Sequence, residues 1–403
     1  MSGTLSSRSS GEFLNTAFTP FTLGNLTLKN RFIKAATYEG MYKNGIPTQD
    51  LIDFHSNIAR GGTAMTTVAY GAVHPDGRTH EEQLLISKAS LPMLSQLTSS
   101  VHQHGGLASI QLTHCGFFTR NKHLLAGVPK SASRTFNTYG LMSGLPFARS
   151  MSHIDIAETT RDFARAALQV KDAGFDAIEV HMGHGYLLSQ FLSPTVNKRH
   201  DAYGGSRSKR MRFPLEVIRS IRQTVGDSFP ILVKLNLSDG FNGGFSIQDC
   251  IETAKGLEQE GVDAIVLSGG YTSKTPFFLM RGDVPKKRMV EVEKNRLQKI
   301  AISVFGNFVM KSYPFEENYF MSLALQVRRE VQIPLIYLGG AVSSQGIHEI
   351  MSQGFDAIAL GRALIHNPDF LAKIQSDSWH VSPCDHCNQC MVEMDCGGVR
   401  CVL

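Results

Sequence analysis

AGFDAIEV at 173–180, EGVDAIVLSGG at 260–270 and QGFDAIALGR at 353–362 repeat one local pattern three times. Each places a glycine suited to the left-handed residue that ends a helix (Gly174, Gly261, Gly354) three positions before an Ala/Ile/Val-rich run. A helix that stops on glycine and leads at once into an apolar strand is the αβ junction of a parallel sheet, whose strands are covered on both faces. Outward from these three, short apolar runs bounded by Gly or Pro and followed by a helical pattern recur near 32–36, 64–69, 108–112, 177–180, 231–235, 264–267, 335–338 and 357–360. Eight such units predict an α/β fold, a (β/α)8 TIM-type barrel. A doubly wound open sheet uses the same local pattern, but no GxGxxG follows the first strand as a dinucleotide fold would require.

Two intervals exceed what a minimal barrel needs. Residues 116–152, rich in Ser, Thr and Pro, predict a capping insertion after the third strand. Residues 271–332 hold PKKR at 285–288 and the aromatic group Phe305, Phe308, Tyr313, Phe315, Tyr319 and Phe320, an apolar packing surface that would also suit a subunit contact in a homodimer.

The 403 residues, 42% hydrophobic and 19% charged, are those of a globular chain with a large core. A net charge of +5 without a basic run interleaved with aromatics argues against nucleic acid as a partner. No apolar stretch approaches a membrane span. The Ser- and Gly-rich residues 1–15 read as a disordered tail, 16–380 as the barrel and 381–403 as a Cys-rich tail. Five of seven cysteines fall between Cys384 and Cys401, which suggests a local site instead of a disulfide framework and so a reducing, cytoplasmic compartment.

The chemistry concentrates where the fourth strand ends. HMGHGY puts His181, His184 and Tyr186 within six positions, an unusual density of proton-handling groups. Half a metal site is the competing reading of His181 and His184, but no third clustered ligand follows, and no metal is expected there. In such barrels the loops after the last two strands commonly hold a phosphate. Here they read LGGAVSS (338–344) and LGRALIHNPD (360–369), so Gly339, Gly340 and Gly361 offer close backbone approach and Arg362 a forked cation. Gln111 and Lys234 put long polar heads near the barrel mouth, where a polar heterocycle could be held by its edge. For Lys234 a salt bridge to a neighbouring carboxylate explains the residue equally well.

With LKNRFIKAA (28–36), GGTAMTTVAYGAVHPDGR (61–78), IQLTHCG (110–116) and EVHMGHGYLLSQFLSPTVNKRHDAYGGS (179–206) added, the chain resembles the Old Yellow Enzyme family, FMN-dependent NAD(P)H:flavin oxidoreductases and ene-reductases. The resemblance covers nearly the whole barrel, and the 179–206 segment is its most specific part. It implies that His181 and His184 donate hydrogen bonds to an electron-withdrawing oxygen of an α,β-unsaturated substrate and that Tyr186 protonates the α-carbon. It implies further that Ala35, Ala36, Thr37, Tyr38, Gln111 and Lys234 line the flavin ring. Gly339, Gly340, Gly361 and Arg362 would hold the FMN phosphate, with NADPH or NADH as hydride donor. Two other classes of function stay open: a barrel binding a phosphorylated metabolite, as an aldolase or isomerase does, and a flavin-binding protein without turnover.

Three positions depart from the family pattern. Lys234 stands where many relatives have Arg, Tyr38 where they have Thr or Cys, and Phe117 where a common relative has Arg. The segment CDHCNQCMVEMDCGGVRC (384–401) resembles the iron–sulfur motif of one branch of the family, with a second gap of two residues instead of three. Reduced thiols, a zinc clip and an iron–sulfur cluster are ranked in that order, because the flavin and nucleotide domain that feeds such a cluster in that branch does not follow here.

Overall fold

The computed structural model describes residues 10–293, 295–377 and 379–403. In it the eight apolar runs become β1 (Phe32–Lys34), β2 (Met65–Ala72), β3 (Leu107–Thr113), β4 (Ala177–Met182), β5 (Ile231–Asn236), β6 (Ala264–Ser268), β7 (Leu335–Tyr337) and β8 (Ala357–Leu360). All are parallel to their neighbours, and β8 pairs with β1 through Leu360 and Lys34, so the sheet closes into a barrel. The expected (β/α)8 architecture is present.

The surrounding helices are α1 (Gln49–Arg60), α2 (Leu91–Gln103), α3 (His153–Asp172), α4 (Arg207–Val225), α5 (Ile247–Gln259), α6 (Met321–Arg328), α7 (Ser344–Ser352) and α8 (Phe370–Ser376). Their ends follow local chemistry. Ser152 and Ser246 begin α3 and α5 with reciprocal bonds to Asp155 and Asp249, which satisfies backbone N–H groups that a helix start otherwise leaves free. Gly174, Gly261 and Gly354 take positive φ of 90°, 72° and 80° just before β4, β6 and β8, the conformation the repeated pattern requires.

Along the barrel axis the interior changes character. Ile33, Met65, Ala177, Leu232, Val266, Ile336 and Ala357 form an apolar lower layer, joined by Leu23 and Leu28 of a hairpin (Phe21–Leu23 with Leu26–Leu28). Above it come buried Lys34, Gln111, Glu179 and Lys234. The floor is therefore packed for stability and the mouth is set aside for polar work.

Four features lie off the barrel itself. A three-stranded sheet (Lys130–Ser131, Thr135–Phe136, Phe147–Ser150) forms within the insertion after β3, as expected of a cap. The expected tail over 1–15 needs correction: a helix spans Ser10–Ala17, and residues 1–9 lie outside the described residues. Leu14, Ala17 and Phe18, spaced for one helical face, pack on the main core, which overrides the polar composition. In the 271–332 interval Phe320 is wholly buried against Phe278 and Tyr319, so part of the aromatic group is internal packing. The side chains of Phe305 and Phe308 fall outside the described residues. Finally, the Cys-rich segment folds back over the barrel: Glu393 is 1% exposed between Arg288 and Arg400, and the Val399 amide donates to the Glu39 carbonyl. No helix among the described residues is long and apolar enough to cross a membrane.

Candidate active site

Strand β4 delivers His181 to the mouth, and the turn after it delivers His184 and Tyr186. His184 adopts a positive φ of 59°, held by its own amide donating to Asn236 Oδ1 at 3.1 Å and by its Nε2 lying 2.8 Å from Ser268 Oγ. Gly185 follows at φ 80°, and a Cβ there would come within 2.5 Å of the Tyr271 ring. Only glycine allows that turn to close. The ring centroids of His184 and Tyr186 then lie 4.9 and 4.7 Å from that of His181, so the expected three residues do converge.

Burial fixes their protonation. His181 is pushed well below the usual imidazole range by burial, then by His184 and Lys234; His184 falls to about 3 for want of solvent and because of Lys234. Both rings are neutral at pH 7, and each carries one N–H. Burial pushes the Tyr186 phenol up, so it is protonated, and its hydroxyl donates to the Tyr70 hydroxyl at 3.0 Å. The His181 Nδ1 is buried without a protein partner. An orphaned polar atom beside a protonated phenol is the arrangement expected where a ligand oxygen belongs.

Gln111 and Lys234 reach the same mouth, but they meet a group the sequence reading did not single out. Glu179 Oε1 accepts from Gln111 Nε2 at 2.6 Å and pairs with Lys234 Nζ at 3.0 Å, so Lys234 does have a carboxylate neighbour. Lys234 Nζ also donates to the Ala36 carbonyl at 3.2 Å, which ties β5 to the end of β1. Beneath lies a second buried pair, Lys34 with Glu39 at 2.5 Å, and Tyr42 donates to the other Glu39 oxygen at 2.9 Å. Two cations and two carboxylates thus balance inside the barrel. A signal for Glu179 existed: it stands two residues before His181 on one strand, hence on the same face.

Ala35 bonds to β8 through its amide, and Thr37 and Tyr38 continue along the rim. The Tyr38 ring packs 5.3 Å from Tyr70 and 5.4 Å from His80 in an aromatic row. Phe117 is buried, stacked on Tyr271.

The loops after β7 and β8, expected to hold an anion, carry Gly339, Gly340, Gly361 and Arg362. Gly340 has φ 87°, and a Cβ there would lie 2.6 Å from the Tyr319 ring; a Cβ on Gly361 would meet only Thr37, at 3.8 Å. Arg362 is partly engaged elsewhere, its Nη1 donating at 2.8 Å both to the Arg281 carbonyl and to Asn388 Oδ1. Through Asn388 this corner touches the Cys-rich segment. Cys384, Cys387, Cys390 and Cys401 line one pocket with Arg362 and His366, and all are free thiols. Among the described residues no three His, Cys, Asp or Glu side chains converge on a point a single ion could occupy.

The orphaned imidazole nitrogen and the glycines after β7 and β8 are compatible with a phosphate-bearing heteroaromatic group, and the fold and site define the class as a (β/α)8 enzyme with a polar barrel mouth. The comparisons name it further. Residues 16–276 match the NADH:flavin oxidoreductase / NADH oxidase family, and the chain belongs to that FMN-dependent family, that of the Old Yellow Enzyme homologues. The chain is 40% identical over 387 residues to the 4,4'-dithiodibutanoate disulfide reductase of Rhodococcus erythropolis, covering 96% of this chain and 94% of that one. It is 31% identical over 357 residues to an NADPH dehydrogenase of Listeria welshimeri, covering 88% and 92%. Among solved structures a 2-naphthoyl-CoA reductase complex matches with a TM-score of 0.80 at 22% identity, over 96% of this chain and 56% of that one. The chain thus spans little more than half of that larger protein, and the likeness there is one of fold.

Proposed function

We propose that the protein reduces activated C=C bonds, with His181 and His184 binding the electron-withdrawing oxygen and Tyr186 supplying a proton to the α-carbon. The observation that carries this is the convergence of two neutral imidazoles, one with an unpartnered nitrogen, on a protonated buried phenol. FMN supplies the hydride chemistry when bound, renewed from NADPH or NADH. Gln111, Lys234 and the residues from Ala35 to Tyr38 would hold its ring, and Gly339, Gly340, Gly361 and Arg362 its phosphate. The chain's own groups do the rest. Neutral N–H donors polarise an enone without a charged ring that deprotonates, and Tyr186 holds its proton until charge develops on the carbon. Stopped-flow mixing of the reduced protein with cyclohexenone tests the reading: flavin absorbance returns in the wild type and returns much more slowly in Tyr186→Phe, while reduction by NAD(P)H is unchanged. Equal rates in both proteins would refute the proton-donor role.

A second reading is favoured by the relative that matches this chain along nearly its full length, which is named for reducing an organic disulfide. The same neutral donors and phenol could protonate a departing thiolate. Parallel reoxidation by 4,4'-dithiodibutanoate and by cyclohexenone separates the two. In the Cys-rich segment Cys384, Cys387, Cys390 and Cys401 line one pocket, and reduced thiols stay ranked ahead of a zinc clip and an iron–sulfur cluster. Stoichiometric iron and acid-labile sulfide in fresh protein would overturn that order.

A further inference from the structure

We infer that Tyr70 is the relay through which Tyr186 regains its proton from solvent, an inference that rests on the proton-donor reading of Tyr186. Tyr186 is only 5% exposed, so a phenol that gives up a proton there cannot be recharged by bulk water directly. Its hydroxyl instead faces that of Tyr70 at 3.0 Å. Tyr70 stands near the C-terminal end of β2 and, unlike Tyr186, is partly exposed as a residue, which makes it the neighbour of Tyr186 with a route toward solvent. Its position is fixed on several sides. The Tyr38 ring packs 5.3 Å away, and the Tyr70 carbonyl accepts from Gln83 Nε2 at 3.2 Å. Gln83 is in turn locked by Oε1 accepting from the Thr79 amide at 2.6 Å and the Thr79 hydroxyl at 2.9 Å. A side chain held in this way is pre-positioned for proton transfer.

The steps balance. The Tyr186 O–H bond breaks as the substrate's C–H bond forms, leaving a phenolate. Tyr70 donates its proton to that oxygen, and a water at the mouth protonates Tyr70 and leaves hydroxide to the bulk. One solvent proton enters per turnover, and no electron moves through the relay. Before transfer the contact runs from Tyr186 to Tyr70 and helps Tyr186 keep its proton; once that proton turns to the substrate, the Tyr70 hydroxyl is free to turn and donate to the forming phenolate, which burial otherwise disfavours. Tyr70 is therefore a positioning residue, acting through Tyr186 without needing to touch substrate.

The test compares wild type, Tyr70→Phe and Tyr186→Phe in the two half-reactions, with cyclohexenone as oxidant and mixtures of H2O and D2O as solvent. Tyr70→Phe keeps the ring and its packing. Reduction by NAD(P)H should be unchanged and reoxidation slowed about 10- to 100-fold, the effect of one hydrogen bond to a charged oxygen. The rate should curve with deuterium fraction in the wild type, where two protons move, and become linear in Tyr70→Phe. With tyrosine labelled at Cζ, the Tyr186 carbon resonance should shift in Tyr70→Phe whether or not turnover occurs. A static resonance, reoxidation within twofold of wild type, or equal slowing of both half-reactions overturns the relay. If Tyr186→Phe slows reoxidation and Tyr70→Phe does not, only the relay is lost; if neither does, the proton-donor reading fails and takes the relay with it.

Discussion

Glu179→Gln is the most informative single change to the barrel interior. The wild-type carboxylate, 3% exposed, faces Lys234 at 3.0 Å and accepts from Gln111 at 2.6 Å, while Lys34 and Glu39 form the matching pair below. Lys34 and Lys234 repel, and Glu39 and Glu179 offset that repulsion. Removing the Glu179 charge leaves one buried cation in excess, and breaking a buried pair from one side costs about 3–5 kcal/mol. For a large domain each kcal/mol is worth roughly 2 °C, so the apparent Tm should fall by about 5–10 °C at a fixed FMN concentration. The cost belongs to the unpaired charge, not to the lost contact. Glu179→Gln/Lys234→Met should therefore recover most of it, since exchanging both partners for neutral groups is close to neutral. Thermal denaturation of the single and double variants, with and without added FMN, measures both. The reasoning is refuted if Glu179→Gln melts within 1–2 °C of wild type, taking about 1–2 °C as the shift from a minor surface change, or if the double variant melts no higher than the single.

Other outcomes follow from the same geometry. His114 and His184 both titrate near 3 in the folded protein against 6.5 for the ordinary ring, each mainly through burial. Above pH 6.5 neither form binds the proton; below it the unfolded chain does so first, so stability should fall as pH drops from 6.5 toward 3. Each ring contributes about 1.4 kcal/mol per pH unit, and His184→Asn should reduce the slope by that amount in urea titrations at pH 4 to 6; an unchanged slope counts against the assignment. Gly340→Val forces a branched side chain into φ 87° and onto Tyr319, so fluorescence titration should show FMN bound at least about tenfold more weakly, at a strain of 1–2 kcal/mol or more. Unaltered affinity would remove Gly340 from the phosphate corner. Arg288→Ala frees one side of the buried Glu393 carboxylate, which Arg288 holds below its usual range. Faster labelling of the cysteines in 384–401 by a thiol reagent is expected, and an unchanged rate would show that Arg288 does not hold the segment down.

Local patterns along the chain were enough for the barrel and for the histidine–tyrosine group. Gly174, Gly261 and Gly354 announce helix ends from their own sequence, and His181, His184 and Tyr186 are brought together by a turn of six residues. Neighbours in the chain stay neighbours in space, so periodicity and spacing carry that information. Composition misled at 10–15, where polar residues hide a helix whose Leu14 and Ala17 are claimed by a core built from distant segments.

Contacts between remote segments were decided only by folding. Tyr186 meets Tyr70 across 116 positions, Lys234 meets Ala36 across 198, and Arg362 turns to a carbonyl 81 positions away. Whether Lys234 awaits a ligand or answers a carboxylate depends on β4 and β5 lying side by side in a register that sets His181 against Lys234. The amino-acid order specifies which groups are available for proton transfer. The closure of eight strands into one barrel brings their ends to a common mouth, and burial there fixes the partners and protonation states that one-dimensional spacing leaves open.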